Sequence, residues 1–164
     1  MPLKFHEDYV RSAFFGIQDG LVSTTGVVVG ISIGVSDKAI ILLAAIVAVT
    51  VEATSMAAGQ YSSEKAVHQM DKTGKHTDSL VMGALIMFFA YLGGGMIPVL
   101  PVILGEPPYA TFISVILAFA GLFTVGYFRG ILIGDRPLRN AFELFAIGGT
   151  ATLIGLAAGY LLKV

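Results

Sequence analysis

The chain has 164 residues, 55% of them hydrophobic and 13% charged, with a formal net charge of −1; its mean hydropathy of +0.83 lies far above that of a soluble domain of this length, so it reads as a membrane protein. A near-neutral charge supplies no basic stripe, and with it no reason to expect a nucleic-acid partner. The absence of cysteine excludes disulfides, thiolate metal centres, CxxCH haem attachment and cysteine nucleophiles, leaving any metal to oxygen, nitrogen or thioether ligands.

Residues 1–12 are polar, and the apolar stretch that follows runs past 20 residues without an A-x-A cleavage pattern, so it reads as a spanning helix and not as a signal peptide. Measured against the ~20 residues needed to cross ~30 Å of hydrocarbon, the chain divides into spans at 11–34, 39–63, 79–104, 109–133 and 141–162. The fold class is therefore an all-α integral membrane protein, a single transmembrane domain of five helices over 1–164.

The first span carries a polar patch, Gln18, Asp19 and Ser23, followed by Gly26, Gly30 and Gly34 at every fourth position. Such small-residue repeats let helix backbones approach closely in lipid; this one marks either a dimer seam or a contact within the chain. In the second span Glu52, Met56, Gln60 and Glu64 recur at four-residue intervals, a stripe ~18 Å long at 1.5 Å per residue on one helix face. Ser55, Ala58 and Gly59 keep the neighbouring surface small. The connection 64–78 holds His68, Asp71, His76 and Asp78, whose spacing fits no compact metal site; a solvated charged loop is the expectation.

The third span contains Gly93-Gly94-Gly95-Met96-Ile97-Pro98 and then Pro101. Glycine permits unusual backbone and proline removes a donor, so a kink or partial unwinding is expected around Gly95, Pro98 and Pro101, as a gate or as an ordinary helix end. The fourth span repeats small residues at Gly126, Gly130 and Gly134. Met70, Met82, Met87 and Met96 share no face with a carboxylate and read as packing.

Lysine and arginine counting sets an orientation. With the N-terminus in the cytoplasm, that side receives Lys4, Arg11, Lys65, Lys72, Lys75, Arg129, Arg136 and Arg139, against Lys38 and Lys163 outside. No inverted repeat completes a two-halved transporter within one chain, so a C2 homodimer with the ion pathway at its interface is expected.

Charge in the hydrocarbon is where function is sought. A carboxylate at the bilayer centre costs roughly 2.5–3.5 kcal/mol on insertion scales, which makes Asp19 and Glu52 functional candidates. Asp19 and Met56 fall at similar depth, because the first span enters from the side to which the second returns. Carboxylates suit hard divalent ions, and a thioether from Met56 adds preference for later transition metals such as Fe2+. Buried like charges do not all ionise cheaply, so protons could exchange there for a divalent cation. Gln60 and Glu64 stand nearer the cytoplasmic end as a candidate mouth. No cofactor is expected; the metal is cargo, and the other partners are the bilayer, protons and a second copy.

The segment 11–30, RSAFFGIQDGLVSTTGVVVG, with its Asp19-to-Thr24 stretch, resembles the opening of the vacuolar iron transporter (VIT) family. EATSMAAGQYSS at 52–63 is similar to that family's second-span motif, and GMIPVLP at 95–101 to its third. The resemblance implies a homodimeric, proton-driven exporter of Fe2+, often with Mn2+, moving ions from the cytosol into a vacuole or out of the cell. It also implies that Asp19, Glu52 and Met56 act on the ion. Two departures stand out. Gln60 replaces a glutamate found in many members, and the connection of about 15 residues after the second span has no room for the long metal-binding insertion of many eukaryotic ones. A prokaryotic plasma membrane is then the favoured host, a vacuolar membrane the alternative.

The competing functions are an ion-coupled transporter of another substrate, with the carboxylates relaying protons only, and a structural membrane subunit that transports nothing. An enzyme is not expected, since no HExxH or Cys/His pair is present.

Overall fold

The computed structural model describes residues 7–71 and 79–162. Five helices follow in chain order: α1 (Glu7–Gly34), α2 (Lys38–Met70), α3 (Leu80–Leu104), α4 (Tyr109–Ile133) and α5 (Pro137–Leu161). Each is long and apolar enough to cross a membrane. The ends of the spans follow local chemistry. The Asp37 side chain accepts from the Ala39 N–H at 2.8 Å and caps α2. Ser79 caps α3 in the same way through Met82, at 3.3 Å. Pro137 opens α5, where its missing N–H costs nothing and its fixed φ suits a first turn. Gly134 closes α4 with a φ of 71°, a left-handed C-terminal residue of the kind glycine supplies without strain.

Helix α2 runs seven residues beyond the expected 63. No glycine or proline lies between Ser63 and Gly74, and the polar residues after Ser63 are acceptable helix formers, so loss of hydropathy there ends the hydrocarbon span and not the helix. His68 accordingly lies in the last turn of α2 and Asp71 is its C-terminal cap, a correction to the loop expected there; His76 and Asp78 lie outside the described residues. The partial unwinding expected at Gly95, Pro98 and Pro101 is not found: α3 is helical without interruption from Leu80 to Leu104. Both prolines are buried among the neighbouring helices, which hold the segment in place although two N–H donors are missing.

Helix α1 is the centre of the bundle and packs on each of the other four. Its tightest seam is with α3. A Cβ added to Gly20 would stand 2.8 Å from the Gly95 backbone N and 3.1 Å from the Tyr91 carbonyl carbon, so these two helices meet backbone to backbone. The C-terminal half of α1 meets α5 in the same way: Gly30 would carry a Cβ 2.9 Å from the Gly155 carbonyl oxygen, and Gly155 one 2.6 Å from that of Gly26. The repeat Gly26-Gly30 is thus a contact within the chain, while Gly34 lines the groove between α1 and α5. The second repeat is also internal, Gly126 and Gly130 packing on Asn140 and Pro137 of α5.

In the α4–α5 turn, the exposed Asp135 carboxyl is held below the usual carboxylate range, first by the Arg136 backbone N–H and then by the Asn140 amide, which donates to it at 2.9 Å. A carboxylate lowered on folding supports the turn at neutral pH, and that support is lost as the pH falls through its depressed pKa.

A candidate ion pathway beside the central helix

Two polar clusters lie along the interface of α1, α2 and α3. The inner one is formed by Asp19, Ser23, Glu52 and Tyr91. Four residues separate Asp19 and Ser23 on α1, so they share a face, and the Ser23 hydroxyl donates back to the Asp19 carbonyl oxygen at 2.8 Å. Tyr91 enters from α3 with only 1% of its surface exposed. Its hydroxyl is hydrogen-bonded both to Ser23 Oγ and to Glu52 Oε2. Ser23 and Tyr91 thus link the α1 turn that carries Asp19 to the Glu52 carboxylate of α2, so the two acidic residues singled out from the sequence belong to one polar cluster. Met56 is partly buried one turn beyond Glu52 and packs on the apolar cluster of Val49, Ala53 and Tyr91.

Glu52 and Ser23 also line a groove of about 620 Å³ that follows the C-terminal half of α1 past Gly26, Gly30 and Gly34 and has α5 as its far wall. This groove is almost wholly apolar apart from those two side chains. Gln18 belongs elsewhere, in a separate cavity of about 700 Å³ between α1 and α4 whose polar rim includes Arg11 and Arg129.

The outer cluster sits toward the N-terminal end of α1. Glu64 is buried, with 4% exposure, and is ion-paired with Arg11 across the α1–α2 gap. Gln60 Nε2 donates to the same Glu64 oxygen at 3.1 Å, and Arg11 also reaches Asp8 at 3.3 Å. The stripe drawn from the sequence is therefore one line of residues with two ends of different character: Glu52 and Met56 against Tyr91, Gln60 and Glu64 against Arg11. The outer end borders a cavity of about 430 Å³ lined by Asp8, Ser12, Gln60, Glu64 and Met87 among others. Because the Arg11 side chain is 60% exposed, solvent screens much of this pair. Replacing Glu64 with alanine is expected to cost about 1–2 kcal/mol, read as a lower thermal midpoint in detergent; a double-mutant cycle with Arg11→Ala should return a coupling of similar size.

Among the described residues no three His, Asp or Glu side chains come together in the manner of a metal centre. Asp19, Glu52 and Met56 offer two oxygen donors and one sulfur, a set suited to passing a divalent ion along. Tyr91 was missing from the residues picked out in the sequence. Its signal was a tyrosine in the middle of an apolar span, a side chain whose hydroxyl needs a partner when buried.

Comparison with known proteins gives a consistent picture. A family model described as the VIT family matches residues 10–79 and 66–160. "Vacuolar iron transporter 1" of Arabidopsis thaliana is 37% identical over 73 residues, 44% of this chain and 29% of that protein. "Vacuolar iron transporter 2" of Oryza sativa subsp. japonica is 34% identical over 73 residues, 30% of its length. "Vacuolar iron transporter homolog 4" of Arabidopsis thaliana is 28% identical over 153 residues, 86% of this chain and 77% of that protein. The match thus spans about three-tenths of the first two relatives.

Proposed function

The chain belongs to the VIT family, and from that premise we propose that it carries a divalent transition metal, Fe2+ first and Mn2+ second, out of the cytosol in exchange for protons. The observation that carries this reading is the placement of Asp19 and Glu52 along one interface of the membrane-spanning helices, linked through Ser23 and Tyr91. Two like charges held together in an apolar surrounding call for a partner that neutralises them, and either one divalent cation or protons satisfy that need. A site that accepts either, but not both, links metal movement in one direction to proton movement in the other.

The protein works as a C2 homodimer with the N-terminus in the cytosol. In support, one chain leaves Glu52 at the edge of a long apolar groove beside α1, and a two-fold partner laid on that face would bring two Asp19 and two Glu52 around one axis. Its host is the vacuolar membrane in a eukaryote and the plasma membrane in a prokaryote. Ions reach the site from the side of Gln60 and Glu64.

Met56 separates this reading from a transporter that uses its carboxylates for protons alone. Replacing the thioether by the isosteric side chain of leucine keeps the packing on Tyr91 and removes the soft donor. The ratio of Fe2+ to Mn2+ transport in Met56→Leu proteoliposomes should fall several-fold, because manganese gains less from sulfur; an unchanged ratio takes Met56 off the ion path. The reading as a whole is tested by flux of Fe2+ and Mn2+ into proteoliposomes with and without an imposed pH gradient. Uptake of either metal that depends on the gradient supports antiport, and movement of neither removes transport of these metals from the chain.

A further inference from the structure

Gln18 is the polar residue of α1 that the ion pathway leaves over. It stands seven residues beyond Arg11 and is partly buried, about 10 Å further along the helix at 1.5 Å per residue. Among the described residues its side-chain amide makes no hydrogen bond. The residue lines the cavity of about 700 Å³ where the start of α1 meets the end of α4, beside the apolar side chains of Phe14, Phe15, Leu132 and Ile133. Arg11 and Arg129 stand at its rim, and the exposed Glu7 is the single carboxylate of the lining. Both arginines lie one turn from a helix end: Arg11 four residues after Glu7, where α1 begins, and Arg129 four before Ile133, where α4 stops. Charge is thus confined to the mouth of the cavity, hydrocarbon forms its walls, and one unpaired amide lies about two turns further in.

A cleft of this kind between membrane-spanning helices has the polarity profile of a phospholipid. We propose that it binds one anionic phospholipid: the phosphate meets the two guanidinium groups, an acyl ester accepts from the Gln18 amide, and a chain lies on the four apolar side chains. Guanidinium groups pair phosphate oxygens in bidentate fashion, and basic pockets between spanning helices hold anionic headgroups. Arg129 is the stronger determinant. Its ion pair is with Glu143 of α5, 3.8 Å away and half exposed, a contact worth little in solvent, whereas Arg11 is already shared by Glu64 and Asp8. An amide without a partner in hydrocarbon is costly, and the ester carbonyl of a lipid is an acceptor that reaches that depth. A headgroup carrying its own ammonium gains less, since two guanidinium groups against one carboxylate leave the rim positive. The site goes beyond the transport reading and uses none of Asp19, Glu52 or Met56.

The test is lipid retention. The purified full-length protein, stripped of lipid in detergent, is mixed with equimolar phosphatidylglycerol and phosphatidylcholine of one chain length, and bound lipid is counted by native mass spectrometry. Wild type should retain phosphatidylglycerol in several-fold excess. Arg129→Gln should lower that ratio about fivefold, the factor carried by one arginine near an anionic headgroup, and Arg129→Lys should keep most of it. Gln18→Leu should weaken both lipids several-fold and leave their ratio unchanged, because the ester is common to both. Arg139, exposed in the first turn of α5 and absent from the cavity lining, provides the control: Arg139→Gln should change nothing. Equal retention of the two lipids by wild type overturns the site, as does a ratio unmoved in Arg129→Gln or undiminished binding by Gln18→Leu. An equal fall in Arg139→Gln would reduce the preference to diffuse surface attraction and overturn it too. Inorganic phosphate should not displace the lipid; displacement at equal concentration would mean a free-anion site in place of a lipid one.

Discussion

Asp19→Asn is expected to abolish gradient-driven metal flux, and Glu52→Gln to do the same. Each replacement keeps shape and hydrogen-bonding capacity while removing one of the two charges that meet beside α1. Loss of a charged partner from a desolvated site costs about 2–4 kcal/mol, or roughly 30- to 1000-fold in ion binding at the site. The expected measurement is initial Fe2+ uptake into proteoliposomes under a pH gradient, with the folded fraction confirmed by monodispersity in detergent. The double variant should be no worse than the more damaged single one, the non-additivity expected of two residues proposed to hold one ion. Uptake by Asp19→Asn within threefold of wild type would remove Asp19 from the pathway.

The largest effect on folding is expected at Gly20. A valine there must find room where α1 and α3 meet through backbone atoms, with Gly95 N only 2.8 Å from the first added carbon. No side chain can rotate away to relieve that contact, so the helices must separate along the tightest seam of the bundle. Overpacking of a flexible core costs about 1–3 kcal/mol, and a clash of backbone against backbone should exceed it. Gly20→Val is therefore expected to give little or no monodisperse protein. Gly93→Ala provides the control, for a Cβ there meets nothing within 4 Å; its thermal midpoint should match wild type or rise slightly, as helix propensity favours alanine.

Much of the architecture could be read from the residues because lipid imposes a simple rule: long apolar runs must be helices, and charge within them demands a reason. Asp19 and Glu52 were legible on that ground alone. What escaped depended on tertiary partners. Tyr91 looked like one aromatic among many, since neither Ser23 nor Glu52 is near it in sequence. The Gly26-Gly30 repeat announced a close contact without saying with which helix, and Gly155 and Gly159 supplied the answer. Pro98 and Pro101 suggested a break because the rule for isolated helices counts the missing donors; packing on both sides of α3 preserved the helix. Glu64 sat at the end of the hydrophobic run as part of a candidate mouth, and its ion pair is with an arginine 53 residues away.

The glycine seams on two sides of α1 have a mechanical meaning. Wedged by its backbone against α3 along one half and α5 along the other, α1 has no lubricating layer of side chains over which to slide or turn, and it forms with those two helices a stator. Helix α2 is held differently. Among the described residues it touches only α1 and α3, its buried contacts being side chains such as Ile41, Ala45, Val49 and Ala53. Against that frame α2, with Glu52 at its middle and Glu64 further along its length, is keyed by side chains, Val49 filling the space that Gly95 of α3 leaves open.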